Sequence, residues 1–118
     1  SPTQNIHCSM TKTAQLAVLR CLAETLTGTS VTVYGVLPGP TASEGVTRFI
    51  DQMIKSHGID AATAEREFFR SARPSSVLQR FTTPDEVAAM ITYLCSALAS
   101  GTTGAALRVD GGVVRAIA

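Results

Sequence analysis

The sequence SVTVYGVLPGP occupies residues 30–40 and decides the fold class of this chain. Its first eight residues are rich in β-branched side chains, which favour a buried strand, and Pro38-Gly39-Pro40 predicts a rigid turn at the end of that strand. Upstream, an apolar helix is predicted from about Cys8 to Thr27, with Gly28 as its C-terminal stop. Downstream, a second strand is predicted at Ala105–Asp110, followed by two glycines that end it.

Three helices are predicted between the two strands. Apolar residues at spacings of three and four predict one from Ser43 to about His57, and a shorter one follows around Ala61 to Ser71. The third has the clearest start, because Thr83 supplies an N-cap hydroxyl, Pro84 suits the first helical position and Glu86 can close a capping box. One buried stripe is predicted along this closing helix, formed by Val87, Met90, Ile91, Leu94 and Leu98.

The predicted order of helix, strand, three helices and strand indicates an α/β fold. Strands joined by helices are normally parallel, with a right-handed crossover. A length of 118 residues leaves room for one domain. Because parallel strands are usually buried on both faces and seldom occur as an isolated pair, the pattern indicates part of a larger sheet.

The composition excludes several classes of function. Hydrophobic residues make up 45% of the chain and charged residues 16%, and the formal net charge of +1 comes without a basic run that would favour nucleic acid. No stretch is long enough and apolar enough to span a membrane, and the N-terminus lacks the pattern of a secretory signal, so a cytoplasmic location is expected. Three cysteines and two histidines fit no metal-ligand spacing, and the cysteines are expected to be reduced thiols.

Several segments follow one another along the chain: Cys8-Ser9-Met10-Thr11-Lys12, Val31–Thr41, residues 43–73, Arg80–Ala88 and Gly104–Gly112. In this order they resemble the C-terminal half of a short-chain dehydrogenase/reductase. The resemblance covers essentially all 118 residues and implies the C-terminal portion of a Rossmann-like, doubly wound fold, in a single partial domain over residues 1–118. Residues 43–73 then correspond to the variable substrate lid of the family. The other matching segments are Cys8-Ser9-Met10-Thr11-Lys12 at the catalytic helix, Val31–Thr41 at the sixth strand and its turn, Arg80–Ala88 at the closing helix, and Gly104–Gly112 at the seventh strand.

The resemblance assigns the site residues. The family has a tyrosine four residues before a lysine at the start of the catalytic helix, so Cys8 takes the tyrosine position and Lys12 remains the residue that binds the nicotinamide ribose. Pro38, Gly39 and Thr41 are implied as cofactor-binding residues. No metal is expected.

Several of these assignments have alternatives. Cys8 is expected to have lost the acid-base role, since its thiol lies closer to the backbone than a phenol oxygen. It can also be a small, partly buried residue, or a thiolate activated by Lys12 and the helix N-terminus. Lys12 can be a solvated helix residue, and Pro38-Gly39 a simple chain reversal. Ser43 competes with Thr41 for the cofactor contact, although it also suits a helix cap.

The glycine-rich phosphate-binding turn of the family has no counterpart here, nor do its catalytic serine and asparagine. The resemblance therefore implies part of an enzyme that uses NAD or NADP, with no cofactor expected to bind this chain alone, and predicts no autonomous activity. The alternative is a non-catalytic module of enzymatic ancestry that associates with itself. Expected partners are further copies of the chain or the missing N-terminal half, because unpaired strand edges can hydrogen-bond to another chain and exposed apolar faces can pack against one.

Overall fold

The computed structural model describes residues 4–117 and confirms the predicted α/β order. Two parallel strands, β1 and β2, are hydrogen-bonded in one sheet, and the described residues also form four α-helices. A short 3-10 helix at Ala97–Ala99 follows the last α-helix. The elements are α1 at Gln4–Thr25, β1 at Tyr34–Pro38, α2 at Glu44–His57, α3 at Ala61–Ala72, α4 at Pro84–Leu94 and β2 at Ala105–Val109.

Helix α1 starts earlier than predicted. It begins at Gln4, not near Cys8, because no glycine or proline interrupts the chain between Gln4 and Thr27 and the polar residues there are compatible with a helix. It ends at Thr25, two residues before the predicted Thr27. A turn follows, in which Thr27 N–H donates to Glu24 O at 3.2 Å and Gly28 takes the left-handed φ of +80° expected of a stop.

The described residues form two compact units. The first contains the chain up to Val36 together with Thr92–Leu107. Leu94 and Ala99 are its buried apolar residues, at 4% and 1% exposure. A Cβ at Gly35 would lie 2.6 Å from Leu19 Cδ1, so the absence of a side chain at this strand position lets α1 pack closely against β1.

The second unit contains Leu37–Ile91 and the residues from Arg108 onward. Its centre is an aromatic cluster in which Phe69 is fully buried and lies with ring centroids 5.2 Å from Phe68 and 5.0 Å from Phe81. Phe49 joins at 6.4 Å from Phe68. Phe49 itself is 47% exposed. All four phenylalanines of the chain belong to this cluster.

Helix α4 has the predicted start but not the predicted stripe. Thr83 N–H donates to Glu86 Oε2 at 2.8 Å and Glu86 N–H donates to Thr83 Oγ1 at 3.2 Å, which is a complete capping box. Leu94 is buried, whereas Ile91 and Leu98 are 46% and 82% exposed. The prediction was wrong for Ile91 and Leu98. For Leu98 the reason is local, since the helix ends at Leu94 and Leu98 falls in the 3-10 turn.

The end of β2 agrees with the sequence. Gly111 and Gly112 have φ values of +64° and +76°, a conformation that other residues seldom adopt. The Asp110 carboxylate accepts the Gly112 N–H at 2.9 Å and the Val114 N–H at 3.2 Å. None of the helices in the described part of the chain combines the length and the hydrophobicity that a membrane span requires.

Candidate active-site residues

Cys8 and Lys12 lie one turn apart on the same face of α1. Both are exposed, and their four-residue spacing within a regular helix brings the two side chains side by side. The Lys12 ammonium donates to Gln15 Oε1 at 3.3 Å. A thiol and an ammonium group are therefore presented together to whatever binds this face.

This face continues the one that packs on the sheet. Leu16 and Leu19 approach Gly35 of β1, whereas Arg20 and Ala23 approach Gly104, which precedes β2. The backbone N–H of Gly104 bonds to Val33 O, so α1 runs antiparallel to the strands. Cys8 and Lys12 precede Leu16 and lie toward the carboxyl direction of the strands, where α/β sheets bind ligands.

The earlier start of α1 corrects one alternative for Cys8. Cys8 is the fifth residue of the helix, counted from Gln4, and the helix dipole acts mainly within the first turn. The local hydroxyls make bonds within the helix, since Thr11 Oγ1 donates to the carbonyls of His7 and Cys8, each at 3.0 Å. The N-terminal activation considered for the thiol thus loses its geometric basis.

The turn after β1 is held by its own hydrogen bonds. Gly39 N–H donates to Val109 O at 3.0 Å, and a Cβ at Gly39 would lie 2.6 Å from Asp110 Cα. Thr41 Oγ1 donates to Gly39 O at 3.0 Å. Pro38 has no N–H to offer. The requirement for glycine in this turn is therefore explained by packing against β2.

Thr82 is a residue of this region that the sequence analysis missed. It is 3% exposed and forms an isolated parallel bridge with Thr41, their hydroxyl oxygens being 3.1 Å apart. Its backbone N–H donates to Pro40 O at 3.0 Å, and its carbonyl accepts the Ala42 N–H at 2.8 Å. Nothing in the local sequence distinguishes Thr82 from Thr83, because its partners lie about forty residues away.

Ser43 differs from Thr41 in its bonding. Ser43 occupies the N-cap position of α2, but its side chain makes no capping hydrogen bond. The predicted cap position of Ser43 is thus confirmed, but without the side-chain hydrogen bond of a cap; its carbonyl accepts the Thr47 hydroxyl at 3.1 Å. Its exposed hydroxyl is accordingly better placed to meet a ligand than the internally bonded hydroxyl of Thr41.

Charged groups of the second unit serve structure. Arg80 forms two bonds with the Glu86 carboxylate, at 2.7 and 3.0 Å. Arg80, together with the Thr83 N–H, lowers the pKa of Glu86 from 4.5 to about 2. The Thr63 N–H likewise lowers the pKa of Asp60, the N-cap of α3. These perturbed carboxylates are explained by their roles at helix starts.

The candidate site residues are divided between the two compact units. Lys12 and Cys8 lie together in the first unit, and Gly39 and Thr41 lie together in the second. Within residues 4–117, no three His, Cys, Asp or Glu side chains are grouped closely enough to hold a metal ion.

Comparison with known families agrees with this arrangement. Residues 1–114 match the family model described as enoyl-(acyl carrier protein) reductase. This match shows that the chain belongs to the short-chain dehydrogenase/reductase family. It corresponds to the C-terminal part of the Rossmann-like fold of its structural relatives.

Individual relatives are considerably longer than this chain. The uncharacterized oxidoreductase YvaG of Bacillus subtilis is 44% identical over 117 residues, which cover 98% of this chain and 44% of YvaG. L-sorbose reductase of Gluconobacter frateurii, solved with NADPH and L-sorbose, superimposes with a TM-score of 0.79 at 25% identity, over 92% of this chain and 40% of that one. The chain thus spans about two fifths of the length of such relatives.

A third relative is described as containing an atypical catalytic centre. This NADPH-bound short chain oxidoreductase of Pseudomonas aeruginosa matches with a TM-score of 0.73 at 26% identity, over 88% of this chain and 37% of that one.

Proposed function

We propose that this chain forms the catalytic-helix and substrate-lid portion of an NAD(P)-dependent oxidoreductase whose ordinary proton transfer is lost at Cys8. The observation that carries the proposal is the exposed pair of Cys8 and Lys12, one turn apart on α1. Family membership supports the reaction class, which is hydride transfer between a nicotinamide and a carbonyl or alcohol.

Lys12 is the residue proposed to bind the cofactor. Its ammonium group would hydrogen-bond the nicotinamide ribose, and its present bond is a long one of 3.3 Å to the exposed side chain of Gln15. At the neighbouring position, the Cys8 thiol projects less far than a tyrosine oxygen would. Proton transfer requires hydrogen-bond contact with the reacting oxygen, so Cys8 would leave that oxygen without its acid.

The turn after β1 supplies the second proposed contact. Thr41 was the preferred candidate on sequence, with Ser43 as the alternative, but the Thr41 hydroxyl is already engaged with Gly39 and Thr82. We assign Thr41 to holding the turn and Ser43 to contacting the nicotinamide end of the cofactor. The phosphates would have to be bound by residues other than those of this turn.

A fusion tests the proposal. The N-terminal portion of YvaG, placed before this chain, is expected to bind NADPH, and Lys12→Ala should weaken that binding roughly tenfold by removing a charged hydrogen bond. Turnover of a panel of ketones should be absent until Cys8→Tyr is introduced. Cys21→Tyr, another exposed cysteine of α1, is the control and should not restore turnover.

Two results would overturn the proposal. One is strong reductase activity of the fusion with Cys8 unchanged. The other is NADPH or NADH binding by the chain alone in a calorimetric titration, where no uptake is expected. A fusion that binds NADPH and stays inactive with Cys8→Tyr would instead favour the non-catalytic module, for which the exposed apolar side chains of α1 are the supporting observation.

A further inference from the structure

A groove runs between the two helices of the lid. It has a volume of about 320 Å³, at the small end of ligand pockets. Helix α2 contributes Val46, Ile50 and Ile54 at four-residue spacing and α3 contributes Ala61. Phe81, a member of the aromatic cluster, also lines the groove. The three aliphatic residues of α2 are only half-buried, so the groove is open to an apolar ligand.

The charges along the groove are of one sign. Asp51 and Glu65 are the ionisable residues that line it. The Glu65 carboxylate is already occupied, because its Oε1 accepts the Phe81 N–H at 2.8 Å. Asp51 is exposed at the rim. A negative ligand would meet these two carboxylates without a lysine, arginine or histidine of the lining to balance it.

We propose that this groove binds the apolar tail of a neutral carbonyl or alcohol substrate and discriminates against carboxylates. The inference rests on the proposed function, since the groove belongs to the segment assigned as the substrate lid. Aliphatic walls provide the affinity for a hydrocarbon tail. Asp51 provides the discrimination, because a like charge a few ångströms away opposes the binding of an anion.

Binding of 1-octanol and octanoate to the full chain tests the proposal. Backbone amide chemical shifts in NMR spectra report both the site and the affinity, without any cofactor. We expect saturable shifts at groove residues with 1-octanol and binding of octanoate that is roughly tenfold weaker. Asp51→Asn, a change at an exposed residue, should bring the two affinities closer. Equal affinities in the unmodified chain would overturn the proposal, as would shifts centred outside the groove.

A pair of matched substitutions, one in the groove and one outside it, locates the bound 1-octanol independently of the chemical shifts. Ile50→Asn should weaken 1-octanol binding roughly fivefold or more by removing apolar contact. Ile91→Asn makes the same change at an exposed position of α4 outside the groove and should leave the affinity unchanged. If Ile50→Asn fails to fold, the affinities of the unmodified chain and of Asp51→Asn for 1-octanol and octanoate still test the proposal. Because none of these measurements needs NADPH, failure of the cofactor assignment and failure of the groove assignment give separate results.

Discussion

At the scale of single residues, the alkylation rates of two cysteines in the same helix can be compared directly. Cys8 and Cys21 are both exposed thiols of α1, and only Cys8 has Lys12 one turn away. Because Cys8 lies beyond the first helical turn, we expect its alkylation rate to remain within about threefold of that of Cys21. Iodoacetamide labelling at neutral pH, followed by peptide mass spectrometry, measures both rates in one sample. Labelling of Cys8 about tenfold faster would instead support an activated thiolate.

Gly39 is the residue whose role the structure explains most directly. Any Cβ there would overlap the backbone of Asp110, with Cα at 2.6 Å and O at 2.8 Å. Gly39→Ala should therefore lower the free energy of unfolding by about 1–3 kcal/mol through overpacking. Urea unfolding followed by circular dichroism measures the change. Gly45→Ala is the matched control: that position in α2 has open space, and a small stabilisation of about 0.5–1 kcal/mol is expected. Equal effects of the two substitutions would contradict this account.

At the scale of elements, the start of α4 couples charge to stability. The folded pKa of Glu86 is about 2, lowered from 4.5 by Arg80 and Thr83, so its stabilising contribution is present above pH 4.5 and is lost as the pH falls toward 2. Glu86→Gln keeps a capping side chain but removes the charge. The stability difference between the unmodified chain and this variant should be constant near neutral pH and shrink between pH 4.5 and 2.

Urea midpoints measured across this pH range check the prediction. Glu44→Gln in the first turn of α2 is the control, because the Glu44 carboxylate is 96% exposed and lies 3.9 Å from its arginine partner. It should lower the midpoint less than Glu86→Gln at neutral pH. A Glu86→Gln difference that persists unchanged down to pH 2 would mean that the ion pair contributes nothing to the folded state.

Elements with local signals were predictable from the sequence, and those without were not. The start of α4 was predicted because Thr83, Pro84 and Glu86 all act within one turn. The start of α1 was predicted four residues late, although no proline or glycine lies between Gln4 and Cys8. Thr82 was missed because its role depends on Thr41, 41 residues away. At the candidate site, the family resemblance led to Cys8 and Lys12, whereas the choice between Thr41 and Ser43 required hydrogen bonds that only the fold defines.

At the scale of the whole molecule, α1 carries an apolar ridge that the described residues leave exposed. Ile6, Met10, Ala14, Val18 and Leu22 follow each other at four-residue spacing, and the four large ones are 47–66% exposed. Rows of this spacing are the ones that interlock when two helices pack. At 100° per residue, Cys8 and Lys12 lie on a different face of the helix. Association through the ridge would therefore leave the candidate catalytic pair accessible.

We expect this ridge to join copies of the chain. Light scattering at micromolar concentration should give a mass of at least twice the 12.4 kDa of one chain. Val18→Glu should shift the protein toward the monomer, because the interface would have to bury an unpaired charge. Val31→Glu is the matched control, since Val31 is similarly exposed, at 56% against 66% for Val18, but lies outside α1. A monomeric mass for the unmodified chain would refute self-association. If both variants lowered the mass equally, the ridge would not be the interface.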